Sequence, residues 1–337
     1  MARPPFPRSL TEFFRMFPDE EACTRFVVES RWPEGIECPR CGHSRVCPRG
    51  DRRCGLECPS CDYTFSATAG TVMHDTKLPL STWLQAAYLM VTDKRGISAK
   101  QLQRDLGLRG YETAYMLLQR LRVAMVNPDR EPLSGSVEVD ETFLGGVRHG
   151  RPGMEAVGKE GGKFIVLGAI EVLRIRRESD WKDLHRPARL RLRHAENLSR
   201  RVLLSFVRDV VLEGSAVATD GKESYRSLDD HGYLHRVEST ALGMPQKHIL
   251  EHLHLAFSNL KAWMDGTFHG RVEAKHLQGY LNEFCFRFNR RDNLYAAFQT
   301  VLGIAGRVRG PTHEALYSTG PGRFVHLNPH DPGEPFG

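Results

Sequence analysis

The sequence predicts an α/β chain in which a cysteine-rich, metal-held segment and a pair of short helices precede a core of strands followed by helices. Three observations predict it. Two Cys-x-x-Cys pairs, Cys38-Pro39-Arg40-Cys41 and Cys58-Pro59-Ser60-Cys61, stand in a stretch poor in large aliphatics. Next, Ala114, Leu117, Leu118, Leu121 and Met125 recur at helical spacing. From Val137 the pattern changes to short β-rich runs, and it returns to helices from Gln246.

A length of 337 residues points to two or three domains. Lys and Arg total 47 against 41 Asp and Glu, a net charge of +6 that many basic enzymes share. The start of the chain has no apolar stretch of the signal-peptide kind. The longest strongly apolar run, Trp83–Val91, is too short to span a bilayer, so the expectation is a cytoplasmic protein with no membrane partner.

Taken in order, Leu10 to Trp32 reads as amphipathic helix, with Phe13, Phe14, Phe17, Phe26 and Val27 apolar and Asp19-Glu20-Glu21 suited to a helix start. Ile36 to Phe65 cannot build an apolar core, so something else must hold it. Pro79 to Val126 is helical, with Ser98 a plausible N-cap and a turn at Gly107. Strands are expected at Val137–Phe143, Phe164–Val172, Arg189–Arg193, Ala216–Thr219 and Leu234–Val237. Helices are expected at Asn197–Leu212, Gln246–Met264, Glu273–Asn289 and Leu294–Ile304. Gly145-Gly146 and Gly161-Gly162 suggest a hairpin connection, and no GxxxxGK pattern follows them to suggest a phosphate cradle. These elements divide the chain at 1–35, 36–78, 79–130, 131–309 and a loosely ordered tail, 310–337.

Sixteen residues separate Cys41 from Cys58, inside the window for a four-cysteine zinc site. Two thiolates three residues apart bind one ion from a single turn, and two such turns give tetrahedral coordination. Cys38, Cys41, Cys58 and Cys61 are therefore the expected structural Zn²⁺ ligands, with Cys47 and Cys54 left over. Arg40, Arg45, Arg49, Arg52 and Arg53 flank them, as a DNA-facing ribbon would require. Ile97 to Val126 has helix-turn-helix spacing, with Lys100, Arg104, Arg109, Arg120 and Arg122 as cations for phosphates or base edges.

In Val137-Glu138-Val139-Asp140-Glu141-Thr142 carboxylates sit mid-strand, where burial is otherwise favoured; Glu138 and Asp140 share one face. A second apolar strand, Ala216-Val217-Ala218-Thr219, ends in Asp220-Gly221. Acids so placed are costly unless paired or metal-bound, and two of them on neighbouring strands suggest a shared divalent-cation site. Glu251, His254 and Lys261 lie near one face of the following helix.

With these residues in view, the chain resembles an insertion-sequence transposase of the DDE superfamily, in the subgroup with an N-terminal zinc ribbon and Glu, Asn or His at the third catalytic position. Further matching stretches are Phe257-Ser258-Asn259-Leu260-Lys261, Lys275 to Phe284 and Phe288-Asn289-Arg290-Arg291. The resemblance implies a ribonuclease-H-like mixed sheet flanked by helices, preceded by the zinc ribbon and a helix-turn-helix-like domain. It implies Asp140 and Asp220 as catalytic acids, His254 in the third place, Lys261 as the basic residue, and Mg²⁺ or Mn²⁺ held by the first three. Imidazole is a poorer ligand than carboxylate for Mg²⁺, so Glu251, one turn earlier, is a spare candidate. Expected partners are the terminal inverted repeats and target DNA, in a homodimer or higher oligomer on a prokaryotic nucleoid. Rival readings are a non-catalytic DNA-binding regulator derived from such an enzyme, a nuclease that cuts without joining, and an unrelated zinc hydrolase. The last is disfavoured because four cysteines close the zinc site.

Arg174, Arg176, Arg177, Arg186, Arg189, Arg191, Arg193, Arg200 and Arg201 crowd one stretch. The alternation of Arg189, Arg191 and Arg193 predicts an arginine face that tracks DNA phosphates.

Overall fold

Cysteine turns, not apolar packing, organise the segment that holds Cys38 to Cys61. The computed structural model describes residues 6–50, 54–145, 163–176, 183–238, 249–269 and 272–312. These fall into two units, one of residues up to Pro128 together with those from Arg290 onward, the other Asp129–Asn289. The glycine pairs' connecting loop, Arg52, Arg53, Arg177 and the tail from residue 313 lie outside the described residues.

In the first unit, helices α1 (Leu10–Met16) and α2 (Glu20–Arg31) start at Ser9 and Asp19, whose side chains accept from Glu12 N and Ala22 N. A three-stranded antiparallel ribbon follows: β1 (Cys47–Arg49), β2 (Gly55–Glu57) and β3 (Thr64–Ser66). Helix α3 (Leu80–Thr92) begins after Pro79, which has no capping side chain; Glu20 supplies the cap instead, accepting from Leu80 N, Ser81 N and Ser81 Oγ. Helices α4 (Ala99–Asp105) and α5 (Tyr111–Val123) pack against each other across the turn at Gly107, whose φ of 60° suits glycine.

The second unit holds β4 (Ser136–Leu144), β5 (Phe164–Arg176), β6 (Asp183–Ala195), α6 (Arg200–Val210), β7 (Ala216–Thr219), β8 (Leu234–Val237), α7 (Glu251–Phe268) and α8 (Ala274–Phe288). Its sheet has the order β6-β5-β4-β7-β8. The first three strands are antiparallel, and β7 and β8 run parallel to β4. This is a mixed sheet, and helices cover both faces. Val137, Val139, Leu167 and Ala169 pack on Leu203, Phe206 and Val207 of α6. Val166, Ile170, Leu190 and Leu192 pack on Leu253, Phe257 and Leu260 of α7 and Leu277 and Leu281 of α8.

Helix α9 (Leu294–Ala305) belongs to the first unit, although its sequence position groups it with the strands and helices of residues 131–309. Phe298 is fully buried there against Phe13, Phe26 and Tyr88, so the chain returns to complete the aromatic core it began with.

Covering both faces of the sheet changes what the arginine stripe does. Arg189 grips buried Glu171 of β5 with two parallel bonds, Nε to Oε2 at 2.7 Å and Nη2 to Oε1, and donates to Pro132 O. Arg191 donates to the carbonyls of Leu190 and Glu131. Arg193 pairs with Asp209 at 2.9 Å and lies over the Phe206 ring of α6. On the face expected to track phosphates, the three arginines thus bond to Glu171, to Asp209 of α6 and to carbonyls of Glu131, Pro132 and Leu190.

Burial raises the pKa of the Glu171 carboxyl, but bonds from Arg189 and Ser134 N outweigh it, and the net shift is downward. A carboxyl with a lowered folded-state pKa contributes stability at neutral pH that is lost as pH falls through the carboxylate range. Glu171→Ala is expected to cost about 3 kcal/mol in urea unfolding at pH 7, with the difference from wild type shrinking in acid. A difference independent of pH would show that the ion pair is not its source.

Candidate active site and metal centre

The four cysteines arrive on two equivalent turns. Cys38 N donates to His43 O and Gly42 N to Cys38 O; Cys58 N donates to Tyr63 O and Asp62 N to Cys58 O. The residue after each second cysteine, Gly42 at φ 71° and Asp62 at φ 55°, takes the left-handed conformation that closes the turn. Sulfurs of Cys38 and Cys61 lie 3.7 Å apart, those of Cys41 and Cys58 3.6 Å, and all four ligand atoms fall within 4.8 Å of one another. A tetrahedral ion with Zn–S bonds of about 2.3 Å sets sulfurs about 3.8 Å apart, so the cage fits zinc. Exposed Cys47 and buried Cys54 stay outside the cluster.

On the helix pair, Lys100, Arg104 and Arg109 are exposed. Arg120 and Arg122 are not the outward cations that sequence counting makes them. Arg120 donates to the carbonyls of Val72 and His74, and Arg122 is 2% exposed, because it shares a face with Leu118 and Leu121.

In the second unit the acids gather where β7 ends beside β4. Glu138 pairs with Ala218 across the parallel ladder, so two residues further along each strand Asp220 comes level with Asp140. Gly221, at φ 84° and with Val237 Cγ1 only 2.5 Å from where a Cβ would stand, turns the chain sharply after Asp220. Lys222 then reaches back: its Nζ lies 2.9 Å from Asp220 Oδ2 and 3.9 Å from Asp140 Oδ1, and it bonds Glu141 Oε1.

Strand alternation places Asp140 toward α7 and Glu141 toward the opposite face, where Tyr225 OH donates to Glu141 Oε2 at 3.2 Å. Burial raises the pKa of the Asp140 carboxyl, and the Glu141 charge adds to the rise against the opposing pull of His254 and Lys222. Burial works against the Lys222 charge, but its bonds to Glu141 and Asp220 prevail and hold it protonated. Burial also raises the pKa of Tyr225, helped by the Glu141 charge, so the phenol keeps its proton.

Helix α7 brings the third group. His254 Nε2 lies 3.0 Å from Asp140 Oδ2, with 43% of the side chain open to solvent. Glu251 is 3.9 Å from His252 Nε2, and Lys261 is exposed two turns beyond His254. Two features fix the helix in place. Glu138 takes a bond from His252 Nδ1 at 2.7 Å and from Leu253 N at 2.8 Å, which anchors the first turn to β4. The Glu138 bond raises the His252 pKa, favouring the imidazolium at this helix start. Gly168 pairs with Asp140 across β4 and β5, and a Cβ there would meet Phe257 at 2.6 Å and Leu253 at 2.9 Å. The missing side chain lets α7 lie directly on the strand.

Gly168→Val is thus expected to lift α7, to cost about 1–3 kcal/mol of stability, and to reduce site function far more than that loss implies. Unfolding midpoints read beside activity will check it; a variant with normal function would mean that α7 need not sit this close.

Two carboxylates that share a cationic group, with an imidazole bonded to one of them, are a suitable donor set for a divalent ion. Among the described residues only the cysteines bring three or more ligand atoms within 4.8 Å, so Asp140, Asp220 and His254 are not drawn so close.

Residues 132–289 match the ISXO2-like transposase domain, and residues 18–64 match the transposase zinc-ribbon domain. Both of these are transposase domains. The first match runs from just before β4 to the end of α8 and so holds Asp140, Asp220, Glu251, His254 and Lys261; the second holds all four cysteines of the cage. An uncharacterized protein in transposable element ISH50 of Halobacterium salinarum is 30% identical over 132 residues. That stretch is 39% of this chain and 44% of the relative, so less than half of the relative's length is spanned. Among the described residues no helix is long and apolar enough to cross a membrane.

Lys222, Glu141, Gly168 and the Glu138–His252 pair escape sequence reasoning. A glycine inside the apolar run Phe164–Ile170 is the one usable signal, since it marks close approach of another backbone or side chain.

Proposed function

We propose that this chain is a transposase that binds the ends of an insertion sequence and catalyses divalent-metal-dependent DNA cleavage and strand transfer. What supports the reading is that His254 bonds Asp140 while Lys222 contacts both Asp140 and Asp220, in a chain with both transposase domains. These three residues would hold Mg²⁺ or Mn²⁺, which when bound supplies activation of the attacking oxygen and stabilisation of the leaving one at phosphorus. Glu138 and His252 hold α7 so that His254 stays against Asp140. Exposed Lys261 gives a point charge for a phosphate on the same helix. Lys100, Arg104 and Arg109, beside the zinc ribbon in sequence, supply cations for duplex phosphates, which makes binding fall steeply with salt. Because two ends must be joined, the working form is a dimer or higher oligomer of the chain.

The test uses labelled duplexes bearing the inverted repeats that flank the gene, incubated with the full chain and Mg²⁺ or Mn²⁺. Release of a 3′-hydroxyl end and its joining to target DNA are expected. Cleavage without joining would favour a nuclease, and binding without cleavage a regulator derived from a transposase.

A further inference from the structure

We propose that Lys222 is a built-in stand-in for a divalent cation, holding the catalytic acids together in the metal-free protein and competing with metal for them. The proposal rests on reading Asp140 and Asp220 as metal ligands, and it concerns how readily that site loads.

The geometry is that of one cation shared among three carboxylates. The Lys222 ammonium contacts Asp220 at 2.9 Å and Asp140 at 3.9 Å and bonds Glu141. Asp140 and Glu141 are both buried, and a buried carboxylate without a counter-charge is costly, so the metal-free strand end needs this ammonium. A divalent ion entering between Asp140 and Asp220 would meet a like charge at contact distance, so the two cannot share the place.

The fold gives the lysine somewhere to go. Glu141 lies on the opposite face of β4 from Asp140 and is held there by Tyr225 OH. Because β7 stops at Thr219, one residue before Asp220, Lys222 can touch carboxylates on both faces at once. Its long stem lets the ammonium withdraw to Glu141 alone while Asp140 and Asp220 turn to the metal. Lys222 is half exposed, which leaves room for that movement. Glu141 thus acts as a positioning residue for Lys222, not as a ligand.

Mn²⁺ is titrated into the zinc-loaded full chain without DNA, and free Mn²⁺ is read by electron paramagnetic resonance. Lys222→Met is expected to bind Mn²⁺ roughly tenfold tighter than wild type, since the competing charge is gone. Its melting temperature is expected to fall without Mn²⁺ and to recover more of the difference on loading. If the methionine variant does not fold, Lys222→Gln, which keeps a hydrogen-bond donor for Glu141 but no charge, is expected to shift affinity in the same direction. Equal or weaker Mn²⁺ binding by a folded variant overturns the proposal. Asp140→Asn separates the two ideas. Loss of Mn²⁺ binding in that variant upholds the site, whatever Lys222 does; unchanged binding removes the site, and the proposal with it.

Discussion

Asp140→Asn is expected to remove metal-dependent DNA cleavage by about 10³-fold or more while leaving the fold intact. Loss of several kcal/mol of transition-state stabilisation, at about 1.36 kcal/mol per factor of ten, gives a loss of that size. Asn has the shape of Asp and still meets His254, so α7 has no reason to move. It also removes one negative charge from a cluster in which Asp140, Asp220 and Glu141 share Lys222, so the melting temperature should hold or rise. Cleavage rate and melting temperature together separate a lost ligand from a lost fold. Activity within tenfold of wild type would end the assignment of Asp140. The same assay decides the third position. His254 lies 3.0 Å from Asp140, whereas Glu251 sits beside His252 at 3.9 Å. His254→Ala should therefore cost more than Glu251→Gln, and the reverse order would move the third ligand one turn back.

Periodicity made most elements of this chain legible. The strand Ala216–Thr219 reads with its observed bounds because four apolar or β-branched residues run straight into Asp-Gly, and the position of Asp220 follows from it. Helix α8 reads to within a residue at each end for the same kind of reason. What did not read was cover and partnership. The alternation of Arg189, Arg191 and Arg193 does place them on one face, but alternation cannot say that α6 and Glu171 lie on that face. Arg122 looks like any charged helix residue until the turn-by-turn burial of α5 is known. Helix α9 is strongly apolar, and an apolar helix declares that it packs without declaring on what; Phe298 finds the aromatic rings of α1, α2 and α3. Lys222 reads as a solvated turn lysine because its partners Glu141 and Asp140 are about eighty residues earlier. Each miss is a long-range contact, for which spacing along the chain carries no signal.

Removing zinc is expected to unfold the ribbon while the unit of Asp129–Asn289 keeps its structure. The ribbon's own apolar burial is slight: among the described residues between 36 and 66 the buried side chains are Cys38, Cys54, Leu56 and Cys58. Strands of three residues each do not hold such a segment unaided. A structural zinc contributes about 10–16 kcal/mol of apparent binding energy, far more than Leu56 contributes by burial. Burial opposes the thiolate of Cys38, but amides of Arg40 and Cys41 directed at its sulfur lower its pKa to about 7. Chelation, or Cys58→Ser, should release zinc and make the ribbon protease-sensitive. It should also weaken binding to element ends sharply, with circular dichroism of the remaining strands and helices preserved. Cys47→Ser provides the contrast: Cys47 is exposed and outside the cage, so zinc content and protease resistance should match wild type. A Cys58→Ser chain that keeps full zinc, or a chelated chain whose ribbon stays protease-resistant, would mean that packing, not metal, holds this segment. The equal sulfur spacings and the matched turns at Gly42 and Asp62 would then have no physical cause.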